Sequence, residues 1–114
     1  MRLRLPAGTD YGRVARVTAA ALARRHGFSH REVEDLRLAI DEAIIALLDE
    51  ADPGAAMALA FAVEDQHVTV TVEGAPDRPQ KAVRRFHSLV GDLVDRATID
   101  LDTGVVTLGK SHHP

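Results

Sequence analysis

The run from Arg31 to Glu50 constrains the fold of this chain more than any other stretch, because its apolar residues recur at helical spacing. With successive residues turned by about 100°, one side of the predicted helix gathers the residues that should face the core. These residues are Val33, Leu36, Ile40, Ala43, Ile44, Leu47 and Leu48. The opposite side carries Glu42 among apolar neighbours, with Asp35 and Asp49 one or two turns away. A carboxylate in such a strip is either an exposed surface charge or a group that faces a pocket.

Short signals mark the ends of this helix and of the helix that precedes it. Residues 29–32 (Ser-His-Arg-Glu) form a capping box, with serine at the N-cap and glutamate three residues later. Asp52-Pro53-Gly54 is a strong turn signal, so the helix is predicted to end near Ala51. The earlier helix is predicted from Tyr11 to His26, with Gly27 as its left-handed stop. The core-facing residues predicted for that helix are Val14, Val17, Thr18, Ala21 and Leu22.

The remaining segments are a leading strand, two hairpins and one more helix. Apolar and polar residues alternate in the predicted hairpin strands, and Asp102-Thr103-Gly104 is a hairpin turn signal. The predicted strands are Arg2–Leu5, Ala58–Val63, Val68–Glu73, Thr98–Asp102 and Val105–Lys110, and the third helix is predicted over Lys81–Ala97. The order β-α-α-β-β-α-β-β predicts an α+β two-layer sandwich, with three helices on one face of a mixed, mostly antiparallel sheet of about five strands. Residues 1–110 are predicted to form a single domain, and residues 111–114 a disordered tail.

Composition excludes several kinds of chemistry. The 114 residues contain no cysteine, which rules out disulfides, thiol catalysis and zinc sites built on cysteine. Aromatic residues make up only 4% and the net charge is -3, so the sequence predicts no direct nucleic-acid binding. The histidines are scattered along the chain, so no metal site is predicted. Because there is no long apolar run, the chain is expected to be soluble and cytoplasmic, with no membrane partner.

The element order and two short segments together resemble a known family. Asp35–Ala43 reads DLRLAIDEA on the central helix, and Leu93-Val94-Asp95 runs toward the strand that follows Gly104. This pattern covers nearly the whole chain and resembles the anti-sigma-factor serine kinases of the RsbW type, which use the histidine-kinase-like (GHKL) ATPase fold. The resemblance implies a minimal version of that fold, in a bacterial regulator of stress-response transcription that works by partner switching.

Three departures from the family pattern concern its nucleotide site. The family motif E-A-x-x-N supplies a base and a magnesium ligand; Glu42 matches the base, but Ala46 stands in place of the asparagine. The family motif D-x-G-x-G, whose aspartate reads adenine, corresponds here to Glu73-Gly74-Ala75-Pro76. This segment has a longer acid in place of aspartate, one glycine, and a proline where the family has flexible backbone. Only residues 74–80 separate strand from helix, which is too short for an ATP lid. The resemblance therefore implies a pseudokinase with a degenerate nucleotide pocket at Glu42, Ala46, Glu73 and Gly74, and with no cofactor, metal or catalytic residue.

If the kinase activity is absent, the resemblance still implies the family's other role, which is to bind protein partners. The resemblance implies an anti-sigma factor that sequesters an alternative sigma factor without ATP and is released by a competing partner such as a STAS-domain anti-anti-sigma factor. In the family, protomers form homodimers and the first helix contributes to the partner surface, which places Tyr11, Arg13 and Arg16 at the predicted interface. A second candidate contact surface, on the first hairpin strand, consists of Ala58, Ala60 and Ala62.

Two alternatives remain open from the sequence. In the first, the chain is an active kinase that uses ATP and Mg²⁺, with Glu42 as the base, to phosphorylate a serine of a STAS-domain partner. Asp35 or Asp49 would then supply the missing metal ligand. In the second, the chain is an unrelated small α+β domain for dimerisation or ligand sensing, and the pocket at Glu42 binds something other than ATP.

Overall fold

Three helices and five strands form the described part of the chain, in the order predicted from the sequence. The structure is a computed structural model, and it describes residues 1–6, 9–48 and 54–113. The elements are β1 (Arg2–Pro6), α1 (Thr9–Arg25), α2 (His30–Leu47), β2 (Ala56–Glu64), β3 (His67–Glu73), α3 (Gln80–Val90), β4 (Arg96–Asp100) and β5 (Val105–Ser111). None of the helices in these ranges is long and apolar enough to cross a membrane.

The five strands form one sheet in the order β1-β2-β3-β5-β4, with every neighbouring pair antiparallel. The α+β sandwich predicted from the sequence is confirmed, although the sheet, predicted to be mixed, is antiparallel throughout the described strands. Alternation along each strand places every second side chain against the helices. The buried side chains on that face include Leu59, Phe61, Val68, Val70, Val72, Val106 and Leu108. The outer face of the sheet, which carries mainly alanine, threonine and charged residues, is turned away from the helices.

Helix α2 is the centre of the helical layer and packs against both other helices and the sheet. Its N-terminus has the predicted capping box: the Glu32 N–H donates to Ser29 Oγ at 3.1 Å, and the Ser29 N–H donates to Glu32 Oε1 at 2.8 Å. Val33, Leu36 and Ile40 are fully buried, and burial of each such side chain stabilises the fold by about 1.5–3 kcal/mol. Six of the seven residues predicted for the core face are buried, whereas Leu48 is half-buried; Ala39 and Ala46, which were not predicted on that face, are buried as well.

Helix α2 ends at Leu47, earlier than the sequence predicts, because a loop binds its last carbonyls. The Ala75 N–H donates to the Leu47 carbonyl at 3.0 Å, and Arg78 Nε donates to the Ala46 carbonyl at 2.9 Å. These carbonyls have no partner within a helix, so the loop satisfies them where the helix stops. Residues 49–53, which hold the predicted helix end and most of the predicted turn, lie outside the described residues.

Helix α1 turns the face that was predicted to be buried toward solvent. Val14 and Val17 are 43% and 55% exposed, and Ala21 is exposed as well. Of the predicted core-facing residues, Leu22 packs against the core. The buried side of α1 consists mainly of small residues, which include Ala15, Ala19, Ala20 and Ala23. The predicted core face was wrong because alanines let the helix backbone approach its neighbours closely, and this shape complementarity outweighs the greater hydrophobicity of valine.

Helix α3 ends at Val90, although the sequence predicts a helix through Ala97. Gly91, which disfavours helix, occupies the C-cap. A few residues later the Asp95 N–H donates to the Gly109 carbonyl at 2.9 Å, where the pairing of β4 with β5 begins. The apolar residues just before and within β4 therefore belong to a turn and a strand rather than to a longer helix.

The C-terminal residues bond to the rest of the fold as far as His113, in place of the predicted disordered tail. Ser111 is the last residue of β5. The His112 N–H donates to the Gln66 carbonyl at 2.9 Å, and the His113 N–H donates to Glu32 Oε2 at 2.8 Å. These bonds join residues far apart in the chain, which no local sequence pattern indicates. The final proline lies outside the described residues.

Candidate functional site

Glu42, the residue that matches the catalytic base of the family motif, is bound by an arginine of the neighbouring helix. Arg85 Nη1 on α3 donates to Glu42 Oε2 at 2.6 Å. The Glu42 side chain is 19% exposed, whereas that of Arg85 is 51% exposed. The carboxylate therefore lies at the contact between α2 and α3, where the guanidinium offsets its charge.

Ala46 follows one turn later on α2 and is buried. Its methyl group offers no oxygen to a metal ion, and its carbonyl accepts the hydrogen bond from Arg78. That arginine belongs to residues 74–79, the segment between β3 and α3, which we call the capping loop. Two groups of the capping loop, the Arg78 guanidinium and the Ala75 N–H, thus bind the last turn of α2. The segment that begins Glu73-Gly74, which the resemblance matches to the family's adenine-binding motif, leads into the capping loop.

Two glycines allow the capping loop to lie this close to its surroundings. A Cβ atom at Gly74 would lie 2.8 Å from Leu47 Cβ, closer than real Cβ atoms approach. The Gly74 N–H donates to the Gly104 carbonyl at 2.8 Å. Gly104 has a φ of +70° and a Cβ there would lie 2.7 Å from the Gly74 carbonyl oxygen, so this turn requires glycine. The capping loop is therefore held between α2 and the turn that joins β4 to β5.

A small apolar cavity of ≈ 20 Å³ lies beside the capping loop. Its lining comes from the end of α2, the start of β2, the end of β3 and the capping loop, and includes Leu47, Met57, Val72 and Ala75. This volume is about enough for one water molecule. Pockets that bind small molecules measure about 300–1,000 Å³.

Glu73 lies on the opposite side of the sheet from Glu42. The adjacent Val72 is buried against the helices, so strand alternation turns Glu73 to the outer face. There it borders an open groove of ≈ 480 Å³, whose other side is formed by β1. The structure therefore places three of the four predicted pocket residues on or against the end of α2 and separates Glu73 from them.

Asp35, considered from the sequence as a metal ligand, pairs with a buried lysine. Lys110 on β5 is 8% exposed; its Nζ lies 3.6 Å from Asp35 Oδ2 and donates to the Leu93 carbonyl at 2.6 Å. This pair links α2 to β5 inside the fold. Asp49 lies outside the described residues. Within the described ranges no group of three or more side chains is arranged to hold a metal ion.

Helix α1 exposes two of the three residues predicted to bind a partner. Tyr11 is 43% exposed, and Arg13 is exposed beside it. Arg16 instead forms an ion pair with Asp41 and so joins α1 to α2. Such a partly buried pair contributes to helix packing more than to an outer surface.

Two further exposed residues of the same helix were assigned to the core from the sequence and so were missed as candidate partner-binding residues. Val14 and Val17 project from the exposed side, between Tyr11 and Ala21. We call the exposed side of this helix, made of Tyr11, Arg13, Val14, Val17 and Ala21, the α1 surface. The spacing of the alanines at positions 15, 19 and 23 was the available signal, since small residues every fourth position mark the side on which helices approach closely.

Comparison with known proteins gives a consistent set of relatives. No protein-family model matches the chain. A serine-protein kinase RsbW of Oceanobacillus iheyensis is 24% identical over 95% of this chain and 83% of the relative. Another, of Halalkalibacterium halodurans, is 29% identical over 93% of this chain and 78% of the relative. A crystal structure of the RsbU and RsbW domains of a Mycobacterium tuberculosis protein has a TM-score of 0.68 and 21% sequence identity, over 99% of this chain and 32% of that chain.

Proposed function

The chain is an RsbW-type family member, and from this premise we propose that it is a regulatory binding protein: an anti-sigma factor that sequesters an alternative sigma factor in the cytoplasm without ATP. The observation that carries the proposal is that other side chains and the backbone of this chain already bind Glu42 and the end of its helix. Arg85 binds the carboxylate, and the capping loop binds the end of the same helix. Membership of the family sets aside the alternative of an unrelated ligand-sensing domain.

These contacts fit Mg-ATP poorly. A general base must be free to accept a proton from the attacking hydroxyl, and Glu42 Oε2 already accepts a hydrogen bond from Arg85. Magnesium is bound through oxygen ligands, and Ala46 has none in its side chain. The small cavity beside the capping loop has room for about one water molecule.

The α1 surface is the proposed partner site. It combines an exposed aromatic residue and two exposed valines with Arg13, and aromatic and arginine side chains are the types that most often dominate binding energy. Exposed valines also supply apolar area that binding would bury. Release would follow when a competing protein, such as a STAS-domain anti-anti-sigma factor, takes the same surface.

The direct test is titration of the purified chain with Mg-ATP and Mg-ADP by calorimetry, followed by incubation with labelled ATP and a STAS-domain protein. We expect no saturable heat and no label on the acceptor serine, because Arg85 binds the Glu42 carboxylate and the Ala46 side chain offers no oxygen to magnesium. The named alternative is an active serine kinase, which the presence of Glu42 and the kinase names of the relatives favour. Saturable binding together with phosphoserine would establish that alternative.

We also propose that the chain forms a homodimer through the outer face of the sheet. In the strand register Arg4 lies opposite Ala58, and Ala58 lies opposite Glu73, so a cation and a carboxylate flank a small residue. A twofold axis near this row would bring Arg4 of one copy to Glu73 of the other, as an isologous contact requires. Ala58, Ala60 and Ala62, predicted as a contact surface, lie on this outer face. Their small side chains would let the two sheets approach closely.

A charge exchange tests the dimer. We expect Arg4→Glu and Glu73→Arg, each alone, to weaken the dimer at least about tenfold, because each places like charges opposite one another. The double variant restores opposite charges and should return the dissociation constant to within about threefold of the original. Analytical ultracentrifugation measures the dimer dissociation constant of the two single variants and the double variant. Arg13→Glu on the α1 surface is the matched control. A chain that is monomeric before substitution, or a double variant without recovery, would contradict the proposal.

A further inference from the structure

The residues after Lys110 converge on the N-terminus of α2 through one carboxylate. Glu32 Oε1 lies 2.6 Å from His112 Nδ1, and Glu32 Oε2 accepts the His113 N–H at 2.8 Å. The same carboxylate accepts the Ser29 N–H in the capping box. Both side chains of the His112–Glu32 pair are mostly buried, with 17% and 12% exposure. We call Ser111, His112 and His113 the C-terminal clasp.

The clasp also binds the turn before β4 and the start of β3. The Ser111 N–H donates to Asp95 Oδ2 at 2.6 Å, and the Ser111 hydroxyl lies 2.7 Å from His67 Nδ1. His113 Nε2 is 3.5 Å from Asp95 Oδ1. Three segments distant in sequence are therefore joined at the end of β5.

The His112 ring covers an apolar residue next to these polar contacts. Its centroid lies 5.6 Å from that of Phe28, which is 6% exposed and closes the loop between α1 and α2. A histidine held between an aromatic ring and a carboxylate carries both an apolar and an ionic contact. The ionic contact depends on the charge of the ring, because imidazolium binds a carboxylate more strongly than neutral imidazole does.

We propose that the C-terminal clasp is a pH-sensitive fastener, which holds β5 and the first turn of α2 together more tightly when His112 is protonated. The geometry supports this through the His112–Glu32 contact, its partial burial and its two backbone anchors. The titratable and charged groups around the clasp are Glu32 and Asp35 on α2, Asp95 before β4, His67 on β3 and Lys110 on β5. Asp35 and Lys110 pair with each other, so the carboxylates that face the histidines are Glu32 and Asp95.

The acid limit of the clasp follows from Glu32. Partial burial opposes ionisation of this carboxyl, but hydrogen bonds from Ser29, His113 and His112 outweigh it and lower the pKa from 4.5 to about 2. A lowered folded-state pKa means that the stabilisation is complete above about pH 4.5 and is lost as the pH falls through about 2. Glu32 is therefore ionised at both pH 5.5 and pH 8.0, so loss of its charge does not contribute to a difference between these two conditions.

The test is a double-variant cycle on the full chain with His112→Asn and Glu32→Gln, measured by urea unfolding at pH 5.5 and pH 8.0. Glutamine keeps the capping box, so Glu32→Gln removes the charge without removing the cap. We expect His112→Asn to raise the unfolding constant about tenfold at pH 5.5 and no more than about threefold at pH 8.0. In the Glu32→Gln background, His112→Asn should change the unfolding constant by the same factor at pH 5.5 and at pH 8.0.

Amide hydrogen exchange gives a second, local measurement that does not depend on a variant. The His113 N–H, a donor to Glu32, should lose protection from pH 5.5 to pH 8.0 after correction for the intrinsic rate. His26→Asn, at an exposed histidine outside the clasp, is the matched control and should change the unfolding constant equally at both pH values. Equal effects of His112→Asn at both pH values, or a pH difference that survives Glu32→Gln, would overturn the proposal.

Discussion

Under the proposed function, Val17→Glu should strongly weaken binding of a sigma factor while leaving the fold intact. Val17 is 55% exposed in the middle of the α1 surface, so the substitution puts a charge where the proposed interface must be dry. We expect the dissociation constant to rise at least about 100-fold, or about 2.7 kcal/mol, when measured by calorimetry against purified sigma factors from the source genome. The unfolding free energy should change by no more than about 0.5 kcal/mol, as is usual at exposed positions.

Leu89→Glu is the matched control for this prediction. Leu89 is 44% exposed on α3, so the substitution has the same chemistry at a similar exposure on a different helix. It should leave sigma-factor binding within about threefold of the unmodified chain. If Leu89→Glu weakens binding as much as Val17→Glu does, the effect is not specific to the α1 surface and the proposed interface is contradicted. If neither weakens it, the helices do not form the partner site.

The element order and the core of α2 were predictable because their signals are local and redundant. A capping box, helical spacing and several branched aliphatic residues all indicate the same helix, and Val33, Leu36 and Ile40 are buried as expected. The face of α1 was not predictable from hydrophobicity alone. Both sides of that helix are apolar, and the choice depends on how closely the alanine side fits against α2, which is a property of the assembled layer.

The state of the candidate site was predictable only in part. The sequence shows Ala46 in place of asparagine, but it does not show that Arg85 reaches Glu42 or that Arg78 binds the end of α2. Those contacts join residues more than thirty positions apart. Glu73 differs in another way: the family resemblance implied that it lines a nucleotide pocket, whereas alternation along the strand turns it to the outer face of the sheet. The contacts of the C-terminal clasp are equally long-range.

Ala46→Asn distinguishes a closed site from an open site that lacks only one ligand. If the pocket were open, asparagine would restore the missing oxygen and Mg-ATP would bind. We expect the reverse. Ala46 is buried, and its backbone carbonyl is bonded to Arg78, so a larger polar side chain must either displace the neighbouring groups or remain without a partner. The unfolding free energy should fall by about 2–4 kcal/mol in urea denaturation, with no saturable heat on addition of Mg-ATP.

Ile45→Asn on the adjacent position separates burial from helix propensity. Ile45 is 42% exposed, so the same residue type enters the same turn of α2 without entering the interior. Its cost should stay below about 1 kcal/mol, which reflects propensity and lost surface contact. A stable Ala46→Asn chain that binds Mg-ATP would show that the capping loop and Arg85 can yield to a nucleotide. The ATP-independent proposal would then fail. The loss of nucleotide binding would be due to one side chain and not to the packing of α2, α3 and the capping loop.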